Sequence, residues 1–105
     1  MLDVIFSAEA SGDLEDAYSY GFDKFGEHQS DAYLGRLFQA VEQLAAQPHL
    51  GRARPELSVG VRSFVVQRHV IYYRQQGQSL QIIRVLHGSR DVLLLLKDPQ
   101  QTGFG

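Results

Sequence analysis

The chain has 105 residues, of which 44% are hydrophobic and 21% charged, with four histidines and no cysteine. That composition describes one folded domain near the lower size limit for an ordinary core, and it excludes a disordered tail, a disulfide scaffold and a thiolate metal site. The net charge of −2 conceals an asymmetry: residues 1–51 carry nine acids and two bases, a net −7, whereas residues 52–90 carry seven arginines against Glu56 alone, a net +6.

Arginine presents a planar fork that fits carboxylate and phosphate, where lysine is a point charge. The basic segment therefore meets an acidic partner or nucleic acid, or it pairs internally with the acidic half; composition leaves both open. The amino-terminal "MLDVIFSAEASG" has an acid at position 3 and too short an apolar stretch for a secretory signal. No segment approaches the roughly 20 apolar residues of a membrane span. A soluble, cytoplasmic protein without membrane contact is expected.

Residues 2–6, "LDVIF", read as a short first strand. Ser7 follows as a helix N-cap, with Glu9, Asp13, Glu15 and Asp16 crowding the early turns, where the helix dipole favours negative charge. Leu14, Ala17, Tyr18, Phe22 and Phe25 recur at spacings of three and four, a stripe that faces a core, and Gly26 closes the helix. Ser30 or Asp31 caps a second helix, whose wide apolar face runs through Tyr33, Leu34, Leu37, Phe38, Val41, Leu44 and Ala45 until Pro48 ends it. About four polar residues between the two make an antiparallel helical hairpin.

After the loop "PHLGRARPELSVG" the period changes. "VRSFVV", "VIYYR" and "LQIIRVLH" are β-branched and aromatic runs separated by "QRH" and "QQGQS", which spells a three-stranded antiparallel meander. The expected fold is α+β in the order β-α-α-β-β-β, a helical hairpin packed on a small antiparallel sheet. A single domain is expected over residues 1–98. Four consecutive leucines at 93–96 read as a last packed helical turn or strand, or as a docking surface, and residues 99–105 as a flexible tail.

Four blocks taken together carry a family resemblance. "FSAEASGDLEDAYSYGFDKFG", "LAAQPHLGRARPEL", "VRSFVVQRHVIYYR" and "IIRVLHGSRD" resemble, in order and spacing, the ParE branch of the RelE/ParE toxin superfamily over about residues 3 to 92. The resemblance implies a helical hairpin on an antiparallel sheet and a small bacterial toxin of a type II toxin–antitoxin system. ParE-like members poison DNA gyrase by trapping it with cleaved DNA, and a ParD-like antitoxin neutralises them through an extended segment that wraps the toxin. DNA would then be met only indirectly, through antitoxin or gyrase. RelE-like members are instead ribosome-dependent mRNA endonucleases.

Chemistry separates the two branches. RNA cleavage by a 2′-hydroxyl needs a base, cationic stabilisation of the phosphorane and an acid for the leaving oxygen. RelE-like nucleases place lysines and arginines on the sheet and a tyrosine near the carboxyl terminus. Here Ser63 and Val65 stand where alternating lysines are expected, Val70 stands near an arginine's place, lysine occurs only at 24 and 97, and no tyrosine follows Tyr73. No catalytic residue and no cofactor is therefore expected. His28 and His49 lie in loops without a second ligand at metal spacing, so no metal is expected either.

In "RVLHGSRD", strand alternation puts Arg84 on the face of Leu80, Ile82 and Leu86, and His87 on that of Ile83 and Val85. Arg84 points at a sheet edge or pairs with a helix acid; His87 ties down the turn at Gly88 or meets a partner. Of Tyr72 and Tyr73, one belongs to the core and the other is exposed. Arg68, Tyr73, Arg74, Arg84, His87 and Arg90 are the candidate target- or antitoxin-binding residues, and Leu14, Tyr18, Phe22, Leu34, Leu37 and Phe38 the candidate antitoxin groove. The leading expectation is a gyrase-binding toxin; a RelE-type nuclease and a non-toxic antitoxin-binding relative are the alternatives.

Overall fold

The computed structural model describes residues 1–88. Arg90, the leucines at 93–96 and the tail from 99 lie outside the described residues. The elements run β1 (Asp3–Phe6), α1 (Ala8–Phe25), α2 (Glu27–Ala46), β2 (Arg52–Ala53), β3 (Arg62–Val66), β4 (His69–Gln76) and β5 (Ser79–His87).

Ser7 caps α1 as expected, and does more. Its Oγ accepts the Ala10 amide at 2.9 Å and donates to the Ile83 carbonyl at 2.7 Å, so one buried hydroxyl ties the helix start to β5. α2 begins earlier than Ser30 or Asp31, because Gly26 alone joins the two helices. Its φ of 89° reverses the chain in one residue, and its amide still closes α1 onto the Phe22 carbonyl. Ser30 thus lies inside α2, buried, where its Oγ donates to the Tyr18 carbonyl of α1 at 2.7 Å. His28 also belongs to α2 and not to a loop.

The helical hairpin covers one face of a five-stranded sheet of order β1-β5-β4-β3-β2. The meander β3–β4–β5 is antiparallel, as its sequence spells. β1, however, pairs with β5 in parallel, Val4 opposite Leu80 and Phe6 opposite Ile82, so the sheet is mixed. Parallel neighbours need a long crossover, and here the two helices are part of it. β2, a two-residue strand within the arginine-rich loop, extends the other edge against β3.

The β4–β5 pairing slips by one residue. Tyr73 faces Ile82 but Tyr72 faces Arg84, which leaves Ile83 as the extra residue of a bulge. Strand alternation resets there. Leu80, Ile82 and Val85 join the helix-side core with Leu37, Val41, Leu44 and Ile71, whereas Ile83 and Leu86 join Leu57, Val61 and Tyr72 on the opposite face. The expected grouping of Arg84 with Leu80, Ile82 and Leu86, and of His87 with Ile83, fails for this reason.

Both tyrosines are buried, so the expected exposed one does not exist. Tyr72 packs in the second cluster, and the Tyr73 hydroxyl accepts the Gly51 amide and donates to the Pro48 carbonyl, each at 2.8 Å. The α1 stripe is also shorter than expected. Leu14 and Ala17 are buried, but Phe22 and Phe25 are 46% and 45% exposed. The buried positions of α1 end at Gly21, and the last turn has less of the domain to pack against.

Candidate functional site

Where α1 and α2 diverge from β1, an apolar groove of about 540 Å³ opens, lined by Phe6, Leu14, Tyr18, Leu34 and Phe38 with Ser11, Glu15 and Ser19 at its rim. The elements place these side chains by helical spacing: Leu14 and Tyr18 are one turn apart on α1, Leu34 and Phe38 one turn apart on α2. Phe6 from β1 meets Phe38 edge-on, ring centroids 6.0 Å apart. Tyr18 is held by its hydroxyl, which donates to Asp31 at 2.7 Å, and that bond to a carboxylate raises its pKa. Phe22 packs beside Tyr18 at 6.2 Å. Of the six expected groove residues, four line it; Phe22 is not among its walls, and Leu37 is 1% exposed and belongs to the core.

A second cleft, of about 330 Å³, lies between α1 and the end of the meander, lined by Asp13, Asp16, Tyr20, Arg68, His69 and His87 among others. His69 and His87 face each other across β4 and β5, rings edge-on with centroids 5.7 Å apart. His69 Nδ1 and the Tyr33 hydroxyl share a 2.6 Å hydrogen bond, and the same hydroxyl lies 3.2 Å from the Val66 carbonyl. With the hydroxyl donating to Val66, Nδ1 carries the proton and Nε2 is the basic nitrogen. Burial first, then the positive fields of His87 and Arg68, lower the His69 pKa; Asp13 opposes them. Burial also raises the Tyr33 pKa. Arg68 leaves its turn beside Gln67, a non-glycine residue at φ 51°, and lies 5.0 Å from the Phe25 ring and 5.1 Å from that of Tyr33. Gly88 closes the strand end by its own amide, which donates to the Arg68 carbonyl.

The other candidate residues are not gathered there. Arg84 takes the internal alternative, paired to Asp13 of α1 by two contacts of 2.8 Å, and that hydrogen-bonded partner raises its pKa. Arg74 donates to Gln81 at 2.7 Å near the far end of the sheet. Tyr73 is interior and presents nothing to a partner. Among the described residues, no group of three or more histidines, cysteines and acids could hold a metal, and no helix is long and apolar enough to cross a membrane.

A family profile described as "ParE toxin of type II toxin-antitoxin system, parDE" matches residues 4–92. The chain belongs to the ParE toxin family. It is 34% identical over 89 residues to Toxin ParE1 of Mycobacterium tuberculosis (strain H37Rv), covering 84% of this chain and 91% of that protein. It is 35% identical over 83 residues to Toxin ParE1 of Caulobacter vibrioides, covering 79% and 85%. The fold matches a chain from a solved structure of the chromosomal ParDE TA system from P. aeruginosa with a TM-score of 0.72 at 21% identity, covering 83% of this chain and 96% of that one.

Within this ParE-family chain, Ser63 is buried and Val65 is exposed at the places where a RelE-type sheet would carry lysines. Sequence reasoning missed Phe6, Tyr33 and His69. The signal for Phe6 was present, as an apolar residue ending β1 directly before the cap. His69 was visible only as part of the turn "QRH", because its partnership with His87 depends on the bulge.

Proposed function

We propose that this ParE-family protein is a growth-inhibiting toxin that acts by binding DNA gyrase and trapping it with cleaved DNA, without catalysis of its own, and that a ParD-like antitoxin neutralises it. The observation that carries the antitoxin half is the groove of Phe6, Leu14, Tyr18, Leu34 and Phe38: an open apolar channel between two helices fits the apolar face of an amphipathic segment. What supports the non-catalytic half is the sheet: Val65 is exposed without a cation, Ser63 is buried, and Arg84 is committed to Asp13. The ParDE neighbour is consistent with an antitoxin partner of this kind.

A second reading has one observation in its favour. His69, His87 and Arg68 line one cleft, and two imidazoles with a guanidinium are residue types that RNA cleavage can use. It ranks lower because Tyr33 engages one His69 nitrogen, and because the depressed His69 pKa suits a base but leaves the acid unassigned.

Gyrase supercoiling reactions with purified protein decide between them. Linear DNA after detergent and protease treatment, abolished by the cognate antitoxin, is the expected result. Unaffected supercoiling from folded protein, with transcript cleavage in a translating extract, would replace the first reading by the second.

A further inference from the structure

A third cleft, of about 380 Å³, lies on the opposite side of the Arg68 turn from the histidine pair. Its volume falls within the roughly 300–1,000 Å³ of small-molecule sites. Its chemistry is unlike the surrounding surface. The first 51 residues carry nine acids and only two bases, Lys24 and Arg36. Yet this cleft contains Arg36, Arg68 and His28 and no acid at all; the remaining walls include Phe25, Tyr33, Gln29 and Gln67. Among the described residues neither Arg36 nor Arg68 forms an ion pair. Two guanidiniums without a salt bridge, in one concavity whose own walls carry no acid, leave a positive field there, even though Arg68 also borders the cleft of Asp13 and Asp16.

The geometry specifies the anion further. Arg68 lies close to the rings of Phe25 and Tyr33, which orders a long side chain on a short turn before any ligand arrives. Arg36 is on α2, and helical side chains lean toward the amino terminus, so it reaches back along the cleft toward His28. The backbones of His28 and Arg36 are about 12 Å apart along the axis, two turns of helix, and both residues line the cleft, so it runs along two turns of α2. A cleft of that length and volume has room beyond a single carboxylate or free phosphate, enough for a phosphate with an attached nucleoside. The exposed Phe25 ring and the His28 ring are flat surfaces at the same cleft.

From this arrangement we propose that the cleft binds a nucleotide unit, its phosphate held by Arg36 and Arg68 and its base laid against Phe25 and His28. The unit is either a free mononucleotide or one position of a single-stranded nucleic acid, which share this chemistry. The assignment is independent of gyrase and of the antitoxin groove, whose residues lie elsewhere.

The test is titration of isotope-labelled protein, followed by backbone amide shifts, with adenosine monophosphate, a short oligothymidylate, inorganic phosphate and glutamate. The expected result is a set of shifts confined to residues 25–36 and 67–68 for the two nucleotide probes. Arg36→Gln should weaken this binding roughly tenfold, the loss of one charge-assisted contact, whereas Arg52→Gln leaves it unchanged. Arg68→Gln also frees the turn from its two rings, so Arg36→Gln, on an exposed helix turn, is the deciding variant. Tighter binding of the oligonucleotide, weakening with salt, would identify a strand; equal binding of the monophosphate would identify a free nucleotide. No shifts with either probe, equal shifts from glutamate, or affinity unmoved by Arg36→Gln would each overturn the proposal.

Discussion

Asp13 of α1 and Arg84 of β5, 71 positions apart, form a bidentate ion pair with both contacts at 2.8 Å, and the same carboxylate accepts the Val85 amide at 2.9 Å. β1 pairs with β5 only as far as Ile82. Asp13 therefore supplies an acceptor to β5 where the neighbouring strand has run out, and Arg84 holds it there. The Arg84 and Asp13 side chains are only 13% and 11% exposed, respectively, so the pair is poorly screened by solvent. Replacing Asp13 by Ala strands both a guanidinium and an amide, and should cost about 2–4 kcal/mol. The double variant Asp13→Leu/Arg84→Leu should lose less than the sum of its single variants. Urea unfolding of the four proteins measures the coupling; strict additivity would show that the pair contributes nothing.

Ser7 secures the same junction from the other side, through Ala10 and the Ile83 carbonyl at the bulge. Ser7→Ala removes a cap and a buried acceptor's partner together, and should lower stability by about 1–3 kcal/mol. Hydrogen exchange should report faster opening at both the first turn of α1 and the end of β5. An effect confined to the helix would dissociate the cap from the bulge.

The His69 pKa is lowered from its ordinary 6.5, chiefly by burial and then by His87 and Arg68. The unfolded chain therefore takes up the proton first as pH falls. Stability should be fully present above about 6.5, fall as pH drops below that value, and level off once the folded imidazole is protonated. His69→Gln should flatten this segment of the profile. The Glu56 carboxyl, lowered by Arg54, acts only at more acidic pH and does not confuse the window. A pH series of urea midpoints that is identical for the two proteins would refute the assignment.

Gly51 has no room for a side chain. A Cβ there would run into the Tyr73 hydroxyl and stand 2.9 Å from the Ser63 carbonyl oxygen. Gly51→Ala should cost about 1–3 kcal/mol by displacing the ring. Tyr73→Phe, which leaves the Gly51 amide and Pro48 carbonyl without their hydroxyl, should cost about the same. Thermal melts of the two single variants and the double variant should show sub-additive losses, since both break one contact.

For the groove, Phe38→Ala trims a ring that is 43% exposed and should change stability by only about 1 kcal/mol. If a ParD-like segment occupies the groove, its affinity should fall tenfold or more, as for an aromatic anchor. Calorimetric titration with the cognate antitoxin checks this. Undiminished affinity would move the antitoxin off this groove.

The sequence alone carried the α+β order, the cap at Ser7, the three strands of the meander and the apolar residues Leu14, Tyr18, Leu34 and Phe38 that line one groove, because each rests on local periodicity or on one residue's capping chemistry. Gly26 was legible as a helix end but not as a one-residue link, since Ser30 and Asp31 offer equally good caps; the contact of Ser30 with the Tyr18 carbonyl, a tertiary feature, decides between them. Leu37 and Phe38 are indistinguishable by spacing as groove residues, and only the packing of α2 on the sheet buries one and leaves the other at the surface.

The bulge is where sequence reasoning stops. Folding β4 and β5 about Gly77 with no slip would set His69 against Leu86 and keep Arg84 on the face of Leu80. One extra residue at Ile83 shifts every later pair, bringing His69 opposite His87 and Arg84 to Asp13. Local propensity does not encode that slip, because Ile83 is as suitable for regular pairing as its neighbours. It follows from Ser7 and Asp13 holding β5 beyond the end of β1, contacts between residues more than 70 positions apart. The fold and its family were thus written in the sequence, while the facing of His69 with His87 and the pairing of Arg84 with Asp13 were settled by the docking of α1 on β5.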